Sequence, residues 1–481
     1  MPRKTSVSAE TLEAFVRRQD AATLASVLIE LAADHAAVHD RLVRLQLSNQ
    51  PKALAAQFRK SLAGWRRTTK FIGYEQAGAF GRELEAWLGQ IEHELLPQDP
   101  AVALALAESF IEADHVFFER ADDSGGAIGD AIRAACQLWL KAASRCESPA
   151  SLWPGRIEAL VTADEYGARE ELLRCANLLL NEPALRALVA SYEAQIDAAL
   201  ARATLANERV NWPAAKASAA LSLLSEALRD PDVLVRATLK RSPSPNPLQK
   251  ESFVHAYLNY ERPEGALPWL EGSWAHMEGS RQRLQAQALT ALGRTGEAAV
   301  IRQRIFEETL AVSDFHAWLE LLPPREQSGA VERARSLAAK PGDPVVVALL
   351  LMDLGDEVAA EATLTAAPGA INGSDYGTLV PLAAALEKSG LSSAATAVYR
   401  ALLVAILDRA YAPAYRHGAR YWAQLQALAQ NSTGPMPLGP LEPHEAFEAR
   451  IRIQHKRKSS FWAHVSGVRR VDADDPGDGD T

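Results

Sequence analysis

Residues Glu119-Arg120-Ala121-Asp122-Asp123-Ser124-Gly125-Gly126-Ala127-Ile128-Gly129-Asp130, running on into the amphipathic segment 131–140, decide how the chain is built. One helix ends, a short acidic and glycine-rich turn follows, and a second helix begins. Asp123 or Ser124 can accept backbone N–H bonds and so cap the second helix. Gly125 and Gly126 supply the positive φ that a tight helix–helix turn needs. Asp122, Asp123 and Asp130 stand where the helix macrodipole favours negative charge. The competing reading of Asp122, Asp123, Ser124, Gly125 and Gly129 is an ion or phosphate site. It fails on spacing: a calcium loop needs alternating oxygen ligands and a glutamate at its twelfth position. A phosphate loop needs a Gly-Lys-Ser/Thr ending. The turn is therefore read as structural.

Outward from this turn, apolar residues recur at helical spacing and strand-like alternation is scarce, so the chain is expected to be all-α. After Pro51, Leu54, Phe58, Leu62, Trp65, Thr69 and Ile72 fall on one stripe, the mark of a half-buried helix. Further helices are expected at 74–96, 100–121, 126–145, 155–180, 183–207 and 213–228. Asp20 reads as a helix cap. Asp99-Pro100, Asp230-Pro231 and Asp343-Pro344 read as caps with proline in the first turn.

Ser242-Pro243-Ser244-Pro245-Asn246-Pro247 cannot lie inside a helix, so an N-terminal helical domain is assigned to 1–241 and a Pro-rich linker to 242–248. Over 249–430 helical hairpins repeat, with turns centred near Glu264-Gly265-Ala266, Gly296-Glu297-Ala298, Ser328-Gly329-Ala330, Val358-Ala359-Ala360 and Ala394-Ala395. The steps are close to the ~34-residue tetratricopeptide period. The full consensus is not met, so the second half reads as a tetratricopeptide-like solenoid. Such hairpins must stack, because one alone cannot bury its apolar face. A Pro/Gly-rich linker is assigned to 431–443, a basic C-terminal helical segment to 444–471, and a disordered acidic tail to 472–481.

The chain has 481 residues, 48% of them hydrophobic and 23% charged, with a net charge of −9. This argues against attraction of the whole molecule to nucleic acid or membrane, though not against a local patch. No apolar run is long enough to span a bilayer and no signal peptide is legible. Cys136, Cys146 and Cys175 form no CxxC pair, so reduced thiols and a cytoplasmic home are expected. The tryptophans mostly fall on apolar stripes and are expected in the core.

Two windows are basic. Residues 41–74 hold eight cations and no acid, and Arg59, Lys60, Arg66, Arg67 and Lys70 form one face of the helix after Pro51. In 449–471, Arg450, Arg452, Lys456, Arg457 and Lys458 lie among His455, Phe461, Trp462 and His464. Such patches can neutralise phosphates, with aromatics for stacking. They can equally be solvated faces or docking surfaces for acidic helices. His35 and His39 stand i, i+4, but no third ligand is identifiable, so no metal is assigned. No nucleophile elbow, Cys–His signature or phosphate loop is present, so no catalytic residue and no cofactor is assigned.

The 119–139 region, segment 71–79, the hairpin from Gly293-Arg294 to Phe306-Glu307, and the ending with Phe447, Arg450, Arg452, His455, Arg457-Lys458 and Phe461-Trp462 together resemble an uncharacterised bacterial all-helical family. The resemblance covers about residues 20–465. The same region is similar to the part that follows SWIM zinc fingers in other bacterial proteins, but the Cys and His spacing of the finger is missing here. The resemblance implies fold and not role.

The leading expectation is a non-enzymatic scaffold for protein partners, because solenoids present long concave surfaces. The alternative is a nucleic-acid-associated protein that uses both basic patches. The third class is a hydrolase or transferase with a site between the halves. No membrane partner is expected.

Overall fold

Four aspartates begin helices where the sequence places them. In the computed structural model, which describes residues 14–46, 50–206, 211–431 and 441–474, Asp20 accepts from Thr23 N at 2.9 Å. Asp99 accepts from Val102 N at 3.1 Å, Asp230 from Asp232 N at 3.2 Å and Asp343 from Val345 N at 2.8 Å. Each satisfies a donor that the helix start leaves open. The described residues are helical throughout, apart from turns and one isolated parallel bridge between Ile72 and Ala121.

The chain divides into two compact units, Met1–Ala256 and Tyr257–Thr481. The first begins with α1 (Ala21–Asp34), α2 (Ala36–Gln46), α3 (Pro51–Arg67) and α4 (Tyr74–Gln90). It continues with α5 (Pro100–Ile111), α6 (Asp114–Arg120), α7 (Ala127–Ala143), α8 (Trp153–Thr162) and α9 (Glu171–Arg174). It closes with α10 (Glu182–Ala206), α11 (Trp212–Leu228), α12 (Pro231–Arg241) and α13 (Pro247–Asn259), inside which the division falls. Helix α7 is the centre. It packs on both α4 and α5 and buries eleven of its residues, Trp139 and Cys136 among them. Phe58, Trp87, Phe110 and Phe117 join the same core, with Trp87 and Phe110 stacked at 5.4 Å. The α4–α7 crossing is close because Gly81 has no side chain: a Cβ there would meet Ala127 Cβ at 2.7 Å.

Three expected helices are interrupted. The 100–121 helix breaks at 112–113 into α5 and α6. The 155–180 helix ends at Thr162, and Gly167 at φ +75° bends a loop whose N–H groups at Tyr166, Gly167 and Arg169 are held by Asp164. An Asx turn competes well with helix at such a site. The stripe after Pro51 stops at Arg67, so Thr69 is exposed and Ile72 enters the bridge instead. The 74–96 helix does run through, with a π-helical turn over Ile91–Leu95.

The second unit holds α14 (Glu278–Ala291), α15 (Thr295–Thr309), α16 (Val312–Leu319), α17 (Pro324–Ala338), α18 (Pro344–Asp353) and α19 (Glu357–Ala366). After these come α20 (Tyr376–Lys388), α21 (Ser392–Asp408), α22 (Tyr415–Asn431), α23 (His444–Gln454) and α24 (Ser459–Asp474). Neighbours along the chain pack as pairs, α14 on α15, α18 on α19, and α20 on α21. Their three turns are the same object. Gly293, Gly355 and Gly390 stand at φ +72°, +74° and +75°. The next N–H returns to a carbonyl five residues back: Arg294 to Leu289 at 2.8 Å, Asp356 to Leu351 at 2.8 Å and Leu391 to Leu386 at 2.9 Å. This is the six-to-one bond of a Schellman cap. Leu289, Leu351 and Leu386 are buried, and so are Ala298, Ala360 and Ala395 just beyond each turn. A fourth copy ends α13, with Arg262 N bonded to Tyr257 O at 2.9 Å and Glu261 in the glycine position at φ +57°. Beyond it, Pro263 and Pro268 hold residues Pro263–Leu270 in a 3₁₀ helix.

The expected turn centres at 296–298, 358–360 and 394–395 fall inside the first turns of α15, α19 and α21, just past the glycine turns. The one expected at Ser328-Gly329-Ala330 is not there: these residues are the middle of α17, which begins after Pro323. Pro323 and Pro324 set the helix start upstream. The tail expected at 472–481 begins inside α24, and 475–481 lie outside the described residues, as do 432–440 of the linker expected at 431–443. Trp212 departs from the core role expected of the tryptophans and is 76% exposed.

Candidate functional site

The 119–130 turn has a structural task. Asp123, and not Ser124, caps α7: its two carboxylate oxygens accept from Ile128 N at 2.8 Å and Gly129 N at 3.0 Å. Ser124 instead donates its backbone N–H to Asp122 at 3.1 Å, and its bonds hold the Asp122 carboxyl below the usual range. Gly126 takes the left-handed conformation at φ +76°, whereas Gly125 does not. Both oxygens of Asp123 are thus occupied by the helix start. Among the described residues no group of three or more His, Cys, Asp or Glu is placed to hold a metal ion.

The turn also positions a surface. Ile72 N–H donates to Arg120 O at 2.9 Å and Asp122 N–H donates to Ile72 O at 3.0 Å, which pins 71–74 beside the turn. Arg120 is buried. Its Nη1 donates to Trp65 O at 2.6 Å and Thr68 O at 3.2 Å, two carbonyls at the C-terminus of α3. Its guanidinium lies 4.7 Å over the Phe80 ring. Arg59, Lys60, Arg66, Arg67 and Lys70 are all exposed, and none is in an ion pair among the described residues. Arg66 and Arg67 sit in the last turn of α3, where the helix dipole favours cations. Just beyond, Phe71 is 60% and Tyr74 64% exposed. Two open aromatics thus follow directly on the unpaired cations in sequence. Helical periodicity places neither residue at a site; their signal is two aromatics in a breaker segment that no stripe claims.

The C-terminal window behaves differently. Arg450 donates through Nε to Glu442 at 3.0 Å and lies 5.1 Å over Phe447. Arg452 donates to Glu448 at 2.9 and 2.7 Å and lies 5.3 and 5.0 Å over Trp422 and Trp462. Phe461 is fully buried, and Trp462 donates to His455 O at 3.0 Å. Phe461 is core and Trp462 is half-buried against it, packed with Tyr415 and Trp422, so neither ring stands open as Phe71 and Tyr74 do. Lys456 and Arg457 remain exposed and Lys458 is half-buried. So the first window keeps the five cations of its helix face open, although Arg41 pairs with Glu94, while the second gives up Arg450 and Arg452 to its own unit. Glu448 stands one helical turn before Arg452 on α23 and is legible in the sequence, whereas the reach of Arg450 eight residues back to Glu442 is decided by the fold.

A cavity of about 470 Å³ in the second unit lies between α21, the 368–374 loop and the start of α23. Its wall includes Arg400, which is 6% exposed. Arg400 Nη1 donates to Glu442 O at 2.6 Å, and the guanidinium lies 4.5 Å over Phe447. Burial pushes its pKa down to about 10. Nothing in the helical pattern distinguishes Arg400 from a solvated arginine.

The fold and its surfaces define a class: an all-helical chain of two units, with an open basic and aromatic surface on one and repeated Schellman hairpins in the other. The chain belongs to a family of unknown function (DUF6880), which matches it over residues 2–464. No curated protein and no solved structure matches the chain. No helix among the described residues is long and apolar enough to cross a membrane.

Proposed function

We propose that the protein is an interaction scaffold: a tetratricopeptide-like array in the second unit, and on the first unit a surface for an acidic protein segment. The observation that carries the partner's chemistry is the unpaired set Arg59, Lys60, Arg66, Arg67 and Lys70 beside exposed Phe71 and Tyr74. Aromatic and arginine side chains are the groups that most often dominate protein interfaces, and unpaired cations select an acidic partner and speed its encounter. The repeat reading draws on the three matching turns. Gly293 to Gly355 spans roughly two periods and Gly355 to Gly390 one period of the ~34-residue repeat. The similarity to the helical region after SWIM fingers belongs to the same reading, without the finger's chemistry. Unpaired Cys136, Cys146 and Cys175 are in keeping with a cytoplasmic protein.

Affinity capture with the intact chain and with the double variant Arg66→Glu/Arg67→Glu tests this. The scaffold reading expects acidic partners held by the intact chain and lost from the variant. The same partners on both would overturn the assignment of the surface.

Nucleic acid is the second reading, favoured by Phe71 and Tyr74 as stacking platforms. Anisotropy of labelled single-stranded RNA and duplex DNA at about 50 and 200 mM salt separates the two. Binding that collapses with salt places nucleic acid first; no binding at low salt removes it. The consumption of Arg450 and Arg452 by Glu442 and Glu448 weighs against it.

A further inference from the structure

Arg400 in the second unit, like Arg120 in the first, is a buried arginine hydrogen-bonded only to main-chain carbonyl oxygen, with the Glu442 carboxylate acting on it through space. A buried arginine is ordinarily paired with a carboxylate, because an unpaired buried charge is strongly destabilising. Arg169 in the first unit illustrates the rule, donating to Asp114 at 2.8 Å with both side chains about 5% exposed. Arg400 has only a main-chain carbonyl, that of Glu442. The Glu442 carboxylate is engaged by Arg450. Arg400 Nε and Nη2 are buried and make no hydrogen bond. These two atoms share one edge of the guanidinium, the edge that receives both oxygens of a carboxylate side-on. Arg283 uses that same edge on Asp314, at 3.1 and 2.9 Å.

The surroundings fit a small acid. Arg400 lines the cavity together with Ala397, Ala401, Val404 and Leu441, which offer an apolar wall. The loop at Gly373 adjoins this wall, pressed so close to α21 that a Cβ there would meet the Ala401 carbonyl. The Arg450–Glu442 pair contributes no net charge, and Asp408 stands on the rim with its side chain 64% exposed. One uncompensated positive charge, with a carboxylate near the entrance, favours a monoanion over a phosphate dianion.

We propose that this cavity binds a small monoanionic carboxylate with a short apolar body, held by the Nε–Nη2 edge of Arg400. Both nitrogens lie beneath the surface, covered on one face by Phe447. The ligand therefore reaches them only when Glu442, held by its carbonyl to Arg400 and by its carboxylate to Arg450, shifts aside. The carboxylate can belong to a free organic acid or to the C-terminus of a peptide. The proposal does not depend on the scaffold reading.

The test uses the full chain, titrated calorimetrically at fixed ionic strength with butyrate, butyramide, inorganic phosphate, and a short peptide with a free or an amidated C-terminus. Saturable butyrate or free-peptide binding, absent for butyramide and the amidated peptide, is expected, and the tighter of the two identifies the source. Arg400→Lys keeps the charge and removes the fork, so affinity should fall at least tenfold. Should that variant fail to fold, Asp408→Asn should tighten binding severalfold by removing the rim charge. In the intact chain the Arg400 Nε–H resonance should move on adding acid. Phosphate binding tighter than any carboxylate, no saturable binding, or equal butyrate affinity in the intact chain and in Arg400→Lys would each overturn the proposal.

Discussion

Arg120 reaches 55 residues back along the chain to donate to the carbonyl of Trp65 at 2.6 Å, and so closes the C-terminus of α3 from below. A helix C-terminus leaves its last carbonyls without partners, and here a buried guanidinium supplies the donor while its face rests on Phe80. The basic surface at 59–74 is therefore held by the same turn that starts α7.

Arg120→Met should destabilise the first unit by about 2–3 kcal/mol, through a lost charge-assisted bond and carbonyls left partly unsatisfied. Urea denaturation followed by tryptophan fluorescence measures it, with the mid-helix, exposed Arg59→Ala as the control. That exposed change should stay within about 0.5 kcal/mol. Equal effects of the two would mean that Arg120 does not hold the helix end.

Asp123→Ala should cost about 1–2 kcal/mol, since two backbone donors of α7 lose their acceptor together. Ser124→Ala should cost much less, because the hydrogen bonds of Ser124 go to Asp122 and not to α7. Comparing the two midpoints decides which residue is the cap.

The glycines divide by geometry. Gly373→Ala should cost about 3 kcal/mol or unfold the second unit, because the new methyl group meets backbone that cannot move aside. Gly296→Ala has nothing within 4 Å and stands in the first turn of α15, so it should be neutral or stabilising by about 0.5–1 kcal/mol. Glu261→Gly relieves a left-handed conformation at φ +57° and should stabilise by up to about 1 kcal/mol. Thermal melts of the three variants give the order.

Acid should weaken the second unit. The bond from Arg281, together with the Trp274 N–H, holds the Glu278 carboxyl at about 2. Burial raises the Asp314 carboxyl, but its bonds from Arg283 and Thr309 outweigh that and leave it below the usual range. A carboxyl lowered in the folded state stabilises above its unfolded value and loses that contribution as pH falls. For Glu278 the window runs from about pH 4.5 down to about pH 2. Glu278→Gln should flatten the stability profile across this window, while leaving the slope due to Asp314. An unchanged slope would show that the Arg281 contact does not form in solution.

Much of the architecture was legible because local rules acted alone. The Asp-Pro starts, the stripe of Leu54, Phe58 and Leu62, and the Gly293 turn each need only neighbours within one helical turn. The misreadings mark where other groups intervened. Asp164 bends the chain after Thr162 through its own hydrogen bonds, and Pro324 starts a helix across Ser328–Ala330. In the candidate surfaces, exposure of Arg59, Lys60, Arg66, Arg67 and Lys70 followed from their positions opposite an apolar stripe. Arg450 and Arg452 carry the same charge at similar spacing, yet they are held by Glu442 and Glu448.

By itself, then, the sequence determined that this chain is helical, where most helices start, and which cations stand opposite an apolar stripe, because periodicity and capping are properties of adjacent residues. Only the tertiary structure decided that Arg450 is held by Glu442, that Phe71 and Tyr74 stand open, and that Arg400 is buried with only a main-chain carbonyl hydrogen-bonded to it. Each of those depends on which distant carboxylate or ring comes within a few ångströms, and no local pattern encodes that distance.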